Sequence, residues 1–306
     1  MKRDFLHITD FETGEIFAVL ELADKLKAQT RTGKEHPLLK GKTLAMIFQK
    51  PSARTRISFE TGMNQLGGHA IFLGPSEIGL GEREEPRDVA RVVSRYNHLV
   101  VARVFEHARV TELARWASIP VINGLSDYNH PCQVMADIFT LRERRKNLDG
   151  LRIAYVGDGN NVANSWVNLS RRIAMTLVLA CPEGYEPDAE TVESAGNAGL
   201  SRISLVRDPL EAVRGADVVY TDVWTSMGQE SDRDLRKEVF RPYQVNDQVM
   251  AAAGNQAFFM HCLPAHRGEE VTDAVLEGPR SLVFDQAENR LHVQKAIMVT
   301  LAGSRN

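Results

Sequence analysis

Cysteine is scarce in this 306-residue chain: Cys132, Cys181 and Cys262 are the three, and no two of them form a C-x-x-C pair. An odd, scattered set excludes a disulfide framework and fits free thiols in a reducing compartment. Charge of one sign is also missing, because 37 Lys and Arg against 40 Asp and Glu leave a net charge of only -3. Nucleic-acid binders usually carry a basic surplus or stripe, so no nucleic acid is expected as a partner. Long apolar runs are absent as well. No window approaches the roughly 18 apolar residues of a membrane helix, and the basic start MKRDFLHITDF has no apolar stretch behind it. The chain is therefore expected in the cytoplasm, with no membrane partner. No fixed-period repeat or low-complexity tract is present, which argues against a solenoid or a disordered linker.

What the chain does contain is ordinary globular material, 43% hydrophobic and 25% charged, at a length suited to two domains of about 150 residues each. Short β-branched runs alternate with helix-length segments. TLAMIF (43–48), HAIFL (69–73), HLVVARV (98–104) and IPVI (119–122) lie in the first half. LRIAYVG (151–157), MTLVLAC (175–181), RISLV (202–206), DVVYTDV (217–223) and AFFMHCL (257–263) follow the charged stretch RERRKNLDG. This alternation implies βαβ units and parallel sheets, and two such series predict an α/β protein of two doubly wound domains. The cleft between them is the expected site. Residues 131–147 read as one connecting helix, with Val134, Ile138 and Leu141 on one face.

Ser52-Ala53-Arg54-Thr55-Arg56 sets two guanidiniums and two hydroxyls at the start of a predicted helix that stops at Gly67-Gly68. First-turn N–H groups lack intrahelical partners and the helix dipole is positive there, so the place suits a small anion. Arg adds bidentate, charge-assisted bonds to phosphate, and the hydroxyls add donors. The plainer alternative is a capping Ser52 with arginines paired to Glu60 on a solvated face. Arg103, at a strand end, and His130-Pro131-Cys132-Gln133, at the start of the connecting helix, tilt the balance. Both fall at carboxyl strand ends, where open α/β sheets bind ligands.

In the second half GDGNNVANS follows a strand and opens a helix, but Val162 stands where a dinucleotide loop needs its third glycine. Asn160 and Asn161 read instead as amides for a polar substrate. Asp222, Ser226 and Met227 share a strand-end loop, an acid and a hydroxyl suited to a ligand ammonium. His261, Cys262 and His266 match no zinc spacing, so no metal is expected.

Ser52-x-Arg54-Thr55-Arg56, His130-Pro131-x-Gln133, Asp222 with Ser226-Met227-Gly228, and His261-Cys262-Leu263-Pro264 occur in this order along nearly the whole chain. In this the chain resembles the aspartate/ornithine carbamoyltransferase family. The S-M-G and H-C-L-P stretches are similar to its ornithine branch. The resemblance implies carbamoyl transfer from carbamoyl phosphate to the δ-amine of L-ornithine, giving citrulline and phosphate in arginine metabolism, without a cofactor. It implies a carbamoyl-phosphate domain of residues 1–132 with 286–306, an ornithine domain of 148–285 and a connecting helix of 133–147. A homotrimer, or a multiple of trimers, is the corresponding assembly.

Carried onto this sequence, the resemblance implies that Ser52, Arg54 and Thr55 hold the phosphate, with Ala53 giving its backbone N–H. Arg103 bridges the phosphate and the carbamoyl oxygen, which His130 also reaches. Gln133 and the Leu263 carbonyl take the carbamoyl NH₂, and Arg290 reaches the same ligand from the last helix. Asn161, Asp222, Ser226 and Met227 bind ornithine. Cys262 lies beside the attacking amine, paired with Asp222. The implied catalytic set is Arg103, His130, Asp222 and Cys262. Two positions depart from the family pattern: Ala53 stands where many relatives have Thr, and Gly79 where a Gln or His often reaches the neighbouring subunit's phosphate.

Overall fold

Every apolar run singled out in the sequence folds as a strand, and every strand pairs in parallel. In the computed structural model, which describes residues 2–145, 147–225 and 230–303, β1 (Thr43–Phe48), β2 (His69–Leu73), β3 (Leu99–Arg103) and β4 (Val121–Leu125) form one sheet in the order β2-β1-β3-β4. A second sheet takes the order β7-β6-β5-β8-β9, from β5 (Leu151–Val156), β6 (Met175–Ala180), β7 (Arg202–Val206), β8 (Val218–Thr221) and β9 (Phe258–His261). Central strands such as β3 and β8 are buried along their whole length, while the edge strands β2 and β7 are not. Parallel strands covered on both faces need continuous apolar runs, which explains why these were legible without alternation.

The chain forms two units, Met1–Phe139 with Glu288–Asn306, and Thr140–Ala287. The first packs Ile47, Val100, Val110 and Leu113 into its core; the second packs Val156, Phe240, Val245 and Phe259. The division falls inside two helices, Pro131–Arg144 and Val283–Gly303.

Two elements differ from the sequence reading. The connecting helix ends at Arg144 rather than Asn147, because the Asn147 side chain accepts the Asp149 N–H at 3.0 Å and closes a local turn that competes with helix. β4 begins at Val121 and runs through Asn123 and Gly124, two residues that seldom signal a strand. Asn123 is tolerated because its amide donates to the Leu6 carbonyl at 3.1 Å. Gly124 sits in a close-packed place, where a Cβ would lie 3.1 Å from Val101 and 3.3 Å from the Ala102 carbonyl and its neighbours would have to give by a few tenths of an ångström.

Candidate active site

In the order β2-β1-β3-β4 the chain leaves β1 to one side and returns on the other, so the crevice beyond the carboxyl ends of β1 and β3 is a switch point that favours ligands. Phe48 and Arg103 pair there in register. Beyond Phe48, Ser52 takes an extended conformation and caps the helix Ala53–Gln65, its Oγ accepting the Thr55 N–H at 3.3 Å. The Ser52 hydroxyl donates to Thr55 Oγ1 at 3.0 Å, and Arg290 Nη2 donates to the same oxygen at 2.8 Å. Thr55 thus ties the last helix to the first turn of this one. Arg54 keeps a buried Nε with no hydrogen-bond partner among the described residues. Arg56 has the plainer fate: its Nε bonds Glu60 at 2.9 Å, and its guanidinium lies 3.9 Å over the Phe72 ring on an exposed face. Of the two guanidiniums in the motif, only Arg54 is left to serve an anion.

His130 is buried, and its pKa lies well below the ordinary value of 6.5. Burial is the first cause, followed by the guanidiniums of Arg290, Arg103 and Arg54. A neutral imidazole among three cations can donate one N–H without adding to their repulsion. Gln133, fully buried, donates through Nε2 to Asp137 at 2.8 Å, which orients its amide, and Oε1 has no hydrogen-bond partner among the described residues. Ser52, Ala53, Arg54, Thr55, Arg103, His130, Gln133 and Arg290 all belong to this first unit. Cys132 is burial-shifted up to about 12 and bonds the Asn123 carbonyl, so it is an inert core thiol.

The second unit repeats the logic. In β7-β6-β5-β8-β9 the switch point lies between β5 and β8, and Asp222 follows β8 there. After β5, Gly159 passes so close to the backbone of residue 187 that a Cβ would lie 2.2 Å from the Pro187 nitrogen. Asn160 then caps the helix Asn161–Leu169, accepting the N–H groups of Val162 and Ala163. Its Nδ2 donates to Asp222 Oδ2 at 2.7 Å, and Cys262 Sγ donates to Asp222 Oδ1 at 3.0 Å. Leu263 adopts φ 59°, rare for a side-chain-bearing residue, and its N–H donates to His261 Nδ1 at 2.8 Å. The structure therefore joins Cys262 to Asp222, as expected, and places Asn161 on the adjoining first helical turn. Ser226 and Met227 lie outside the described residues.

Three features escaped the sequence reading. Asp158 is buried against Arg236, Nη2 to Oδ2 at 2.5 Å, and Arg236 also donates to the Trp224 carbonyl. Burial raises Asp158 from 3.8 to about 7, with Arg236 pulling the other way. Asp158 was visible in GDGNN, but nothing in the polar run around Arg236 marked it as a buried partner. His261 and Glu270, both fully buried, pair at 3.2 Å. Asp222, His261 and Cys262 also bring three ligand-type atoms within 4.8 Å, a grouping invisible to spacing because Asp222 lies 40 residues from Cys262. Both imidazole nitrogens of His261 are already engaged, by Leu263 and Glu270, so His261 would have to give up one of those bonds to take an ion.

Residues 3–143 match the family description "Aspartate/ornithine carbamoyltransferase, carbamoyl-P binding domain", and residues 149–301 match "Aspartate/ornithine carbamoyltransferase, Asp/Orn binding domain". The chain is 55% identical to the chloroplastic ornithine carbamoyltransferase of Pisum sativum over 302 residues, 98% of this chain and 80% of that protein. It is 54% identical to the ornithine carbamoyltransferase of Syntrophus aciditrophicus, over 98% of this chain and all of the relative. The solved ornithine carbamoyltransferase of Pyrococcus furiosus superposes with a TM-score of 0.95 at 49% identity, over 100% of this chain and 98% of that one. The chain therefore belongs to the aspartate/ornithine carbamoyltransferase family.

Proposed function

We infer that this chain transfers the carbamoyl group of carbamoyl phosphate to the δ-amine of L-ornithine, giving citrulline and phosphate, in arginine metabolism. The observation that carries the reading is the buried neutral His130 ringed by Arg54, Arg103 and Arg290, on the unit whose helix Ala53–Gln65 opens with Ser52 and Thr55. Such a surplus of fixed cations suits a phosphate dianion. The names of the relatives supply ornithine and carbamoyl transfer, and the family description supplies carbamoyl phosphate.

In this reading the phosphate takes Ser52, Arg54, Thr55 and the backbone N–H of Ala53, replacing the bonds that Thr55 now receives from Ser52 and Arg290. Arg103 spans the phosphate and the carbamoyl oxygen, and His130 donates its one N–H to that oxygen. Negative charge grows there as the amine lone pair attacks the carbamoyl carbon. A preset donor at such a site is worth about 10²–10³ in rate. Gln133 Oε1 and the Leu263 carbonyl accept from the carbamoyl NH₂. Asn161, Asp222, Ser226 and Met227 hold ornithine, with Cys262 beside its δ-amine. The bond between the carbamoyl carbon and the bridging oxygen breaks with its electron pair going to phosphate, and the proton given up by the amine passes to the departing phosphate. No covalent intermediate on the protein is required, so positioning and electrostatics carry the chemistry.

The carbamoyl-phosphate domain is proposed as residues 1–132 with 286–306, and the ornithine domain as 148–285. A homotrimer working in the cytoplasm completes the reading. Exposed Ile71, on the edge strand β2, and exposed Ile57, on the helix Ala53–Gln65, offer the first unit apolar surface for such an assembly. No helix among the described residues is long and apolar enough to cross a membrane.

The test is citrulline formation from carbamoyl phosphate and L-ornithine, with putrescine, N-acetylornithine and aspartate as parallel acceptors. Turnover with ornithine alone, lost in Arg54→Ala, is expected. Turnover with a different acceptor only would overturn the ornithine assignment while keeping the anion site.

A further inference from the structure

Asp222 carries a donor on each oxygen, the Cys262 thiol on Oδ1 and the Asn160 amide on Oδ2. Which end of the amide faces Asp222 is settled by its other end. Three donors converge on Asn160 Oδ1: the Tyr155 hydroxyl at 3.0 Å and the backbone N–H groups of Val162 at 2.9 Å and Ala163 at 3.3 Å. Turning the amide over would set its NH₂ against three donors and its oxygen against a carboxylate, so the NH₂ points only at Asp222. Tyr155 is itself fixed. It is fully buried, stacks on Tyr220 with ring centroids 5.7 Å apart, and stays a hydroxyl because burial first, then Asp222 and Asp158, push its pKa well above 10.

We propose that Asn160, locked by Tyr155 and by the helix it caps, is a positioning residue that fixes the Asp222 carboxylate for the incoming amino acid. The inference rests on the ornithine reading of this site. With one donor on each oxygen the carboxylate cannot rotate freely, and its remaining lone pairs keep set directions toward a substrate ammonium or amine. Asn160 thereby acts through Asp222, whereas its neighbour Asn161 is assigned to the substrate directly. One amide does two tasks: it caps the helix with its oxygen and aims the acid with its nitrogen.

Two substitutions keep the cap and change only what faces Asp222. Asn160→Ser retains an oxygen for the first-turn N–H groups, but its side chain is too short to donate to Asp222. Asn160→Asp also retains the cap and replaces the donor with a second carboxyl. Losing a hydrogen bond to a charged group corresponds to about 10- to 100-fold. Expected, therefore, is a fall in kcat/KM for ornithine of about 10-fold in Asn160→Ser and about 100-fold or more in Asn160→Asp. The KM for carbamoyl phosphate should stay near the wild-type value. The acid limb of the pH–rate profile should move upward in Asn160→Asp, because adjoining carboxyls share a proton. Tyr155→Phe leaves two donors on Asn160 and should cost only a few-fold.

Wild-type kcat/KM and acid limb in Asn160→Asp would overturn the proposal. So would losses in both variants that merely track a lower melting temperature. A readout independent of turnover is the ¹³C titration of the Asp222 carboxyl, assigned by comparison with Asp222→Asn. A raised midpoint in Asn160→Asp is expected, and an unchanged midpoint overturns the inference. Failure of the functional reading would instead appear as a wild type that makes no citrulline from ornithine.

Discussion

In the first unit the groups acting on buried His130 are three guanidiniums, whereas in the second unit buried Asp222 and Asp158 face an amide, a thiol and the single guanidinium of Arg236. One half sets three guanidiniums, one of them Arg54 on the first turn of a helix, against a neutral imidazole. The other holds acids whose oxygens already carry donors. A dianionic electrophile needs the first arrangement, since fixed cations offset charge without reorganising when the reaction demands it. A cationic amino acid needs the second, where direction matters as much as sign.

The largest expected effect breaks this division of labour. Arg103→Ala should lower kcat by about 10²–10³ and abolish calorimetric binding of inorganic phosphate, while Asp222→Asn keeps phosphate binding and loses ornithine turnover. Phosphate affinity that falls equally in both variants would mean that the two units do not divide the substrates as argued.

Next in size is Arg236, the guanidinium paired with Asp158 in the second unit. The side chains of Arg236 and Asp158 are 8% and 9% exposed, and deleting one member of a buried pair leaves an uncompensated charge at a cost of about 3–5 kcal/mol. Arg236→Met should lower stability on that scale in denaturant unfolding, and Asp158→Asn added to it should restore part of the loss. A double variant no more stable than the single one would show that Arg236 matters through its bond to the Trp224 carbonyl and its place over the Tyr185 and Phe240 rings, not through charge.

Which of these features the sequence disclosed follows from how each is encoded. Strands buried on both faces need unbroken apolar runs, so β1, β3, β5 and β8 could be read directly. Ser52 declared its cap because the cap and its partner Thr55 lie three residues apart. The fate of Arg56 could not be read the same way. Glu60 on the next turn was visible, but Phe72 comes from a strand that only the folded sheet brings alongside. The same limit hid the orientation of Asn160. Its neighbours Val162 and Ala163 are local, yet Asp222 is 62 positions away, and no spacing rule links them. Isolated Asn and Gly in β4 misled for the opposite reason, since their local propensity was overridden by Leu6 and by the closeness of Val101.

The subtlest difference between the units is the sign of their response to acid. In the first unit burial lowers His107 to about 4, helped by His7, and His292 to about 3, helped by Lys295, while His130 lies well below its ordinary 6.5. Between about pH 6.5 and 4 the unfolded chain then binds more protons than this unit does, so the unit's stability is full above about 6.5 and falls as acid is added. Asp158 in the second unit runs the other way. With its pKa raised from 3.8 to about 7, the folded form takes up a proton first, so its contribution grows as pH falls from about 7 toward 4 and is lost as pH rises through 7. Hydrogen exchange at pH 7 and pH 5, corrected for the intrinsic rate, should show β1–β4 losing protection while β5–β9 hold theirs. His107→Gln should reduce the loss in the first sheet. Its ring now sits with Nε2 3.1 Å from that of His7 and Nδ1 2.9 Å from Ser126, four residues before His130. Equal pH slopes in both sheets would show that the buried histidines do not set the acid response, and that the contrast between the units ends at their ligands.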